Sequence, residues 1–277
     1  MTTTAKERID VLLVERGFFE SREKAKAALM AGLVLVDDEP VDKSGMKVPR
    51  TADIKVKGAL HPYVSRGGLK LDKAIRTFGI DLTGRVMLDI GASTGGFTDC
   101  ALQNGASYVY AIDVGYNQLD WSLRQDSRVN VMERTNFRYT QPSDLVGPAP
   151  TFATIDVSFI SLKLILPALS NLLSTGSGIV ALIKPQFEAG REKVGKSGVV
   201  RDPSVHQAVL TAVLTMAAEL GYRLQDVTFS PITGGEGNIE FLAYWIWSAE
   251  PNQYVPAAPE LEQLVKLASQ TFTTGKS

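Results

Sequence analysis

The stretch Val86-Met87-Leu88-Asp89-Ile90-Gly91-Ala92-Ser93-Thr94-Gly95-Gly96-Phe97 constrains the fold more than any other part of the chain. It reads as a short apolar strand ending in a carboxylate, a glycine-rich turn and the first residues of a helix. Glycines let a backbone turn sharply and let a ligand approach the main chain. In open α/β sheets ligands bind at this end of a strand. The spacing Gly-x-x-x-Gly-Gly is neither the Gly-x-Gly-x-x-Gly of a dinucleotide fold nor a P-loop with its Gly-Lys-Ser/Thr. An acid two residues before the first glycine suits a ligand with a positively charged amino acid end better than one rich in phosphate.

Regular alternation surrounds this turn. Strands are expected at 86–90, 108–113, 129–133, 152–157 and 178–184, with helices at 69–78, 95–104, 117–124 and 160–173 between and before them. Such alternation implies parallel β-α-β units. Asp202 and Pro203 start a helix that Gly221 stops. Strands at 222–229 and 239–247, joined only by a loop, should form an antiparallel hairpin. Seven strands with a terminal hairpin outline a Rossmann-like, class I methyltransferase sheet, and S-adenosylmethionine (SAM) is a ligand with the amino acid end the turn suits. A last helix should bury Leu261, Leu264 and Leu267 on one face.

Residues 1–60 read as a separate α+β module. Ile9, Leu12 and Leu13 have helical spacing, with Gly17 as a stop. Ser21 caps a second helix at 22–31, with Ala25, Ala28 and Leu29 inward, and Gly32 follows it. Strands at 33–36 and 54–57 flank the turn Asp37-Asp38-Glu39-Pro40. Residues 61–66 are expected to link this module to a second domain at 67–277, stiffened by Pro62.

Composition excludes several functions. One cysteine, Cys100, and two histidines, His61 and His206, leave no disulfide framework, no cysteine zinc site and little for a histidine metal cluster. The start lacks the apolar core of a signal peptide, and no apolar run approaches the ~20 residues that span a bilayer. A net charge of −1 argues against a uniformly basic nucleic-acid binder, though not against a local basic face. The expectation is a cytoplasmic protein without metal or membrane association.

Charges embedded in apolar strand sequence are costly unless paired or used. Asp113 ends the second strand, where a carboxylate can take ribose hydroxyls. Asp156 ends the fourth and Lys184 the fifth, and Glu240 stands near the start of the last. Several charges converging on one sheet edge look like a site. Lys70, near the start of a helix, is electrostatically misplaced there, and by itself reads as a surface lysine.

Two resemblances sharpen this reading. Arg8-Ile9-Asp10, Ser21-Arg22 and Gly32-x-Val34-x-Val36 with an acidic turn resemble the S4 RNA-binding domain. Gly68-Leu69-Lys70-Leu71-Asp72-Lys73, the turn at 89–97, Asp156 and Lys184 resemble the FtsJ-type RNA 2′-O-methyltransferases. With Asp113-Val114-Gly115-Tyr116 and Lys184-Pro185-Gln186-Phe187-Glu188, the chain is similar to the TlyA family, whose members methylate cytidine 2′-hydroxyls in ribosomal RNA and often bear a haemolysin label.

The resemblance implies a tetrad of Lys70, Asp156, Lys184 and Glu240. It implies a SAM site at Asp89, Gly91, Ala92, Ser93, Thr94, Gly95, Gly96, Phe97, Asp113, Val114 and Asn136. RNA, carried in ribosomal RNA or ribosomal subunits, would meet Arg8, Arg22, Lys24, Lys26 and Arg66. Lys184 would act as base, its pKa lowered beside a second cation and away from water; Asp156 would orient it, Lys70 would hold the 2′-oxygen, and Glu240 would position them. Read from its residues alone, the segment from Phe187 to Asp202, glycine-punctuated and basic, is either an RNA-facing loop or a plain flexible one. The alternatives are a pore-forming haemolysin and a non-catalytic RNA-binding factor on the same fold.

Overall fold

The computed structural model describes residues 6–19, 21–30, 32–56 and 61–274. The chain divides into two compact units, one ending at Pro62 and the other beginning at Tyr63. The end of the second expected helix at Ala31, the expected strand end at Lys57 and residues 58–60 at the end of the expected first domain lie outside the described residues.

In the first unit, β1 (Lys6–Arg8) runs into α1 (Ile9–Glu15), and α2 (Arg22–Met30) follows. β2 (Val34–Val36) lies between β3 (Glu39–Pro40) and β5 (Ile54–Val56), and β4 (Lys47–Pro49) pairs with β1. Ile9, Leu13, Ala25, Leu29 and Val34 are fully buried and make its core. β1, β3 and β4 were not expected; at two or three residues each they are too short to show a period of two. Asp37 and Asp38 both have positive φ, 52° and 67°, as a tight two-residue hairpin turn demands. Both Asp38 and Asp53 pair with the Lys55 ammonium, at 2.7 and 3.3 Å, which offsets the acidity of this turn.

The second unit is a seven-stranded sheet. Its strands are β6 (Val86–Ile90), β7 (Tyr108–Ile112), β8 (Val129–Met132), β9 (Phe152–Ile155), β10 (Gly178–Ile183), β11 (Tyr222–Phe229) and β12 (Phe241–Trp247), in the order β11-β12-β10-β9-β6-β7-β8. All are parallel except β12, which runs antiparallel to both β10 and β11. Helices α3 (Gly68–Phe78), α4 (Gly96–Gln103), α5 (Trp121–Arg124), α6 (Leu162–Leu169), α7 (Pro185–Glu188), α8 (Pro203–Glu219) and α9 (Ala258–Thr274) complete it. Apolar clusters on both faces bury the central strands completely, so those strands read as unbroken apolar runs. The strand order reverses between β6 and β9, which places a crevice at their carboxyl ends.

Three helices differ from expectation. The one expected at 117–124 shrinks to α5, because the amides of Asn117, Gln118 and Leu119 are taken by the Glu133 carboxylate, and Asp120 then caps Ser122. The one expected at 160–173 begins only at Leu162, capped by Ser161, since Phe159 has a φ of +63° that no helix admits. On α9 the buried face is Leu261, Val265 and Ala268; Leu267 is half exposed. Leu261, Leu264 and Leu267 drift off one stripe, whereas spacings of four and then three residues hold it. The expected linker residues Tyr63 and Val64 belong to the second unit: the Tyr63 hydroxyl donates to Asp72, and the Val64 amide to Asp99.

Candidate active site

Four charged side chains from four elements meet at the crevice. Asp156 follows β9 and Lys184 follows β10, so parallel strands deliver both to the same edge. β12 is antiparallel, with Phe241 opposite Ile183, and this brings Glu240 to that edge as well. Lys70 reaches in from the first turn of α3.

The Lys70 ammonium lies 2.8 Å from Glu240 Oε2 and 3.3 Å from Asp156 Oδ2. The Lys184 ammonium lies 2.6 Å from Asp156 Oδ1 and donates to Ser158 Oγ at 3.1 Å. Lys70 and Lys184 are each 7% exposed and Glu240 is 2% exposed. Two ammoniums and two carboxylates leave the cluster without net charge, which is how four ions tolerate such burial. Burial alone would lower the Lys70 pKa, but Asp156 and Glu240 outweigh it and raise it above the ordinary lysine value. Burial likewise pushes Asp156 up, and Lys70 and Lys184 together bring it below the usual carboxylate range. The same carboxylates answer the objection to a cation at the start of α3, and Lys70 is no surface lysine. Asp156 stands between the two ammoniums, one on each of its oxygens.

The tetrad opens on a cleft of about 1050 Å³ in the second unit. Gly91, Ala92, Ser93, Gly96 and Phe97 line it, as do Arg66, Ser158, Phe159 and Gln186. Thr94 and Gly95 are not part of that wall. Nor is Asp89: it is 1% exposed and accepts from the hydroxyls of Thr98 at 2.6 Å and Thr154 at 3.0 Å. Burial raises its pKa to about 6, against those two hydroxyls. Asp89 therefore ties β6 to α4 and β9 under the turn rather than facing the open side.

Gly91 has a different constraint from the one its motif suggests. Its φ is +88°, and a Cβ there would stand 2.5 Å from the Asp156 carbonyl oxygen. The glycine lets the end of β9, and with it Asp156, close on the turn. Asp113 caps β7, accepting from Ser93 N at 2.8 Å and Gly115 N at 2.6 Å. Val114 is exposed, and Asn136 caps a short turn by accepting from Arg138 N. These three lie outside the main cleft wall.

Ser158, Phe159 and Gln186 were not singled out from the sequence. Ser158 and Phe159 belong to Asp156-Val157-Ser158-Phe159, whose register puts Ser158 beside Lys184. Phe159 is 90% exposed, with its ring 5.1 Å from that of Phe187. A bulky side chain at positive φ, turned to solvent, is a strained arrangement of the kind found at functional sites. The Gln186 amide donates to Glu240 Oε1 at 3.4 Å.

In the first unit, the expected RNA-contacting arginines have a structural partner. Asp10 is fully buried and accepts from Arg8 at 2.9 and 3.0 Å and from Arg22 at 2.8 Å. The arginines hold its carboxyl well below the usual range. Lys24 and Arg66 are exposed and Lys26 is half-buried.

Among the described residues no group of histidine, cysteine and acid side chains could hold a metal ion, and no helix is long and apolar enough to cross a membrane. A family model described as FtsJ-like methyltransferase matches residues 63–246, and an S4 domain model matches residues 7–54. A Mycobacterium tuberculosis protein named 16S/23S rRNA (cytidine-2′-O)-methyltransferase TlyA is 43% identical over 262 residues, covering 94% of this chain and 96% of its own. Hemolysin A of Brachyspira hyodysenteriae is 42% identical, covering 86% of this chain and 99% of its own. A solved structure from Streptococcus thermophilus that carries a hemolysin name superposes with a TM-score of 0.78 at 50% identity, covering 99% of both chains.

Proposed function

The chain belongs to the FtsJ-like methyltransferase family, with an S4 domain before it, and on that footing we propose that it transfers a methyl group from SAM to cytidine 2′-hydroxyls of ribosomal RNA. The single observation that carries this reading is the charge-balanced cluster of Lys70, Asp156, Lys184 and Glu240 beside the glycine turn. The TlyA name of the M. tuberculosis relative supports the choice of cytidine and of rRNA.

The residues fit SAM. Main chain at Gly91, Ala92 and Ser93 lines the cleft wall, and Asp113 at the tip of β7 keeps acceptor capacity for ribose hydroxyls beyond its two amide partners. A cleft of about 1050 Å³ sits at the upper end of the range for single-ligand pockets, leaving room for a nucleotide beside the cofactor. SAM supplies a methyl group already activated by its sulfonium.

The protein's task is therefore alignment of the ribose oxygen and removal of its proton. Asp156 fixes both lysines through its two oxygens. Lys184 has one ammonium position spent on Asp156 and one on Ser158; its third proton passes to the solvent of the cleft, and the amine lone pair so freed takes the proton of the 2′-hydroxyl. Lys70, held charged by its two carboxylates, stabilises negative charge developing on that oxygen. Glu240 holds Lys70 in place. The S4 domain docks the RNA.

The test is transfer of labelled methyl from SAM to isolated ribosomal subunits and naked rRNA, with 2′-O-methyl mapping. Wild type labels cytidines, and Lys184→Ala loses about 10²–10⁴-fold in rate. No labelling of any of these RNAs, or unchanged transfer by Lys184→Ala with SAM bound, would overturn the reading.

A further inference from the structure

Residues 190–200 form a strap along the cleft. Gly190, Arg191, Val194 and Lys196 line the cavity, and Arg191, Lys193 and Lys196 are exposed. Most of the strap is exposed backbone, yet its end is gripped hard. Val199 and Val200 are buried, at 6% and 2% exposure.

The grip comes mainly from one side chain. Asn238, 4% exposed, accepts from Val200 N at 3.1 Å through Oδ1. Its Nδ2 donates to Gly198 O at 2.9 Å and to Gly235 O at 3.1 Å. A single carboxamide thus bolts the strap to the loop 234–238, whose chain continues two residues on into Glu240. The other polar atom of Val200 is held too: the buried His206 ring meets Val200 O through Nε2 at 3.0 Å. Its Nδ1 has no partner among the described residues, so Nε2 carries the proton and donates.

The lysines of the tetrad are neutralised by Asp156 and Glu240. The positive charge left over at the cleft belongs to Arg66, Arg191 and Lys196, with Glu236 opposed to it. Two of those three cations ride on the strap. An RNA phosphate backbone needs such cations at a defined place.

We propose that Asn238, with His206 behind it, is a positioning residue: it clamps the basic strap 190–200 against the cleft and so sets affinity for the RNA, without touching the reacting atoms. This rests on the methyltransferase reading above. It differs from a structural role because it acts on one segment and one substrate.

The strap carries tryptic sites at Arg191, Lys193 and Lys196, with Arg201 directly after it, so its release can be read without any activity. In Asn238→Ala, trypsin is expected to cut within 190–201 at least tenfold faster than in wild type, while the rest of the second unit stays resistant. The KM for rRNA is expected to rise at least tenfold, with kcat changed less than threefold and SAM affinity unaltered. A general loss of folding would instead lower kcat through the active fraction and expose sites throughout. His206→Leu, which removes the Val200 carbonyl's partner along with the edge-on ring contact to Phe241, should give a smaller shift in the same direction, and His206→Gln, able to donate again, should recover most of it. The variant pair keeps the test open if Asn238→Ala fails to fold. Unchanged strap cleavage, or unchanged KM for rRNA, in a folded Asn238→Ala or His206→Leu overturns the proposal. If wild type transfers no methyl to any RNA, the function fails instead, and strap cleavage still judges the clamp.

Discussion

The Lys70–Glu240 pair makes the strongest quantitative test of the site, because its stability effect is independent of any reaction. Lys70→Met leaves Glu240, 2% exposed, with only the Gln186 amide at 3.4 Å among the described residues, and leaves the cluster with one surplus negative charge. Glu240→Leu leaves Lys70 with Asp156 alone, at 3.3 Å, and one surplus positive charge. Breaking a buried pair from one side typically costs about 3–5 kcal/mol, whereas replacing both partners by apolar groups is often neutral. Each single variant should therefore lose about 3–5 kcal/mol, and the double variant Lys70→Met/Glu240→Leu should lose less than either, since Lys184 and Asp156 still balance each other. The coupling would then exceed the ~0.5–3 kcal/mol usual for neighbouring residues. Urea unfolding followed by tryptophan fluorescence suits the measurement, because Trp121, Trp245 and Trp247 all lie in the second unit. None of the three variants should recover methyl transfer. Single costs under about 1 kcal/mol that simply add in the double variant would refute the picture of a desolvated, mutually dependent pair.

Three further outcomes follow from particular groups. Asp89 titrates near 6 in the folded protein, above its unfolded value near 3.9, so the folded state binds the extra proton and stability falls as pH rises from about 4 to 6. That loss is about 3 kcal/mol; it should be missing in Asp89→Asn, and a wild-type-minus-variant stability difference that is flat or rises across this window would contradict it. Gly91→Ala combines a left-handed backbone, costing about 1–2 kcal/mol, with a Cβ against the Asp156 carbonyl. It should lower both the unfolding midpoint and methyl transfer, and retention of full transfer would show that Asp156 need not sit where it does. Asp10 is held below its usual pKa by Arg8 and Arg22, so its contribution is complete above about pH 4 and fades as pH falls further. Arg22→Ala should then lower the stability of the first unit, read by hydrogen exchange of its backbone amides within the full chain, as well as weaken RNA binding; weaker RNA binding with no stability change would assign the arginine to RNA alone.

Much of this was legible in the sequence because the site stands at strand ends, where a charge interrupts an apolar run. Asp156, Lys184 and Glu240 each announce themselves that way. Lys70 does not, since a lysine three residues into an amphipathic helix reads the same whether its neighbours are water or carboxylates from 86 and 170 residues away. Asp89 was legible as an unusual residue but not in its direction: strand alternation cannot say which face a carboxylate takes when both faces are buried, and Thr98 and Thr154 settle it. Asp113 and Glu133 show a related blind spot. Asp113 accepts from the amides of Ser93 and Gly115, and Glu133 from those of Asn117 and Gln118; the second arrangement shortens α5, and neither leaves a mark in periodicity. The grip of Asn238 on Val200, 38 residues earlier in the chain, is invisible for the same reason.

The direction of β12 has a consequence for the chemistry. Glu240 precedes the strand, and an antiparallel strand begins where its parallel neighbours end. Were β12 parallel to β10, its seven residues at about 3.3 Å each would carry Glu240 to the opposite edge of the sheet, roughly 20 Å from Lys184. Lys70 would then share the single carboxylate of Asp156 with Lys184, leaving two buried ammoniums on one counter-ion. Neither burial nor a fixed geometry would survive that imbalance. The terminal hairpin is thus what allows a second lysine at the start of α3, and with it a site that balances two buried ammoniums with two carboxylates.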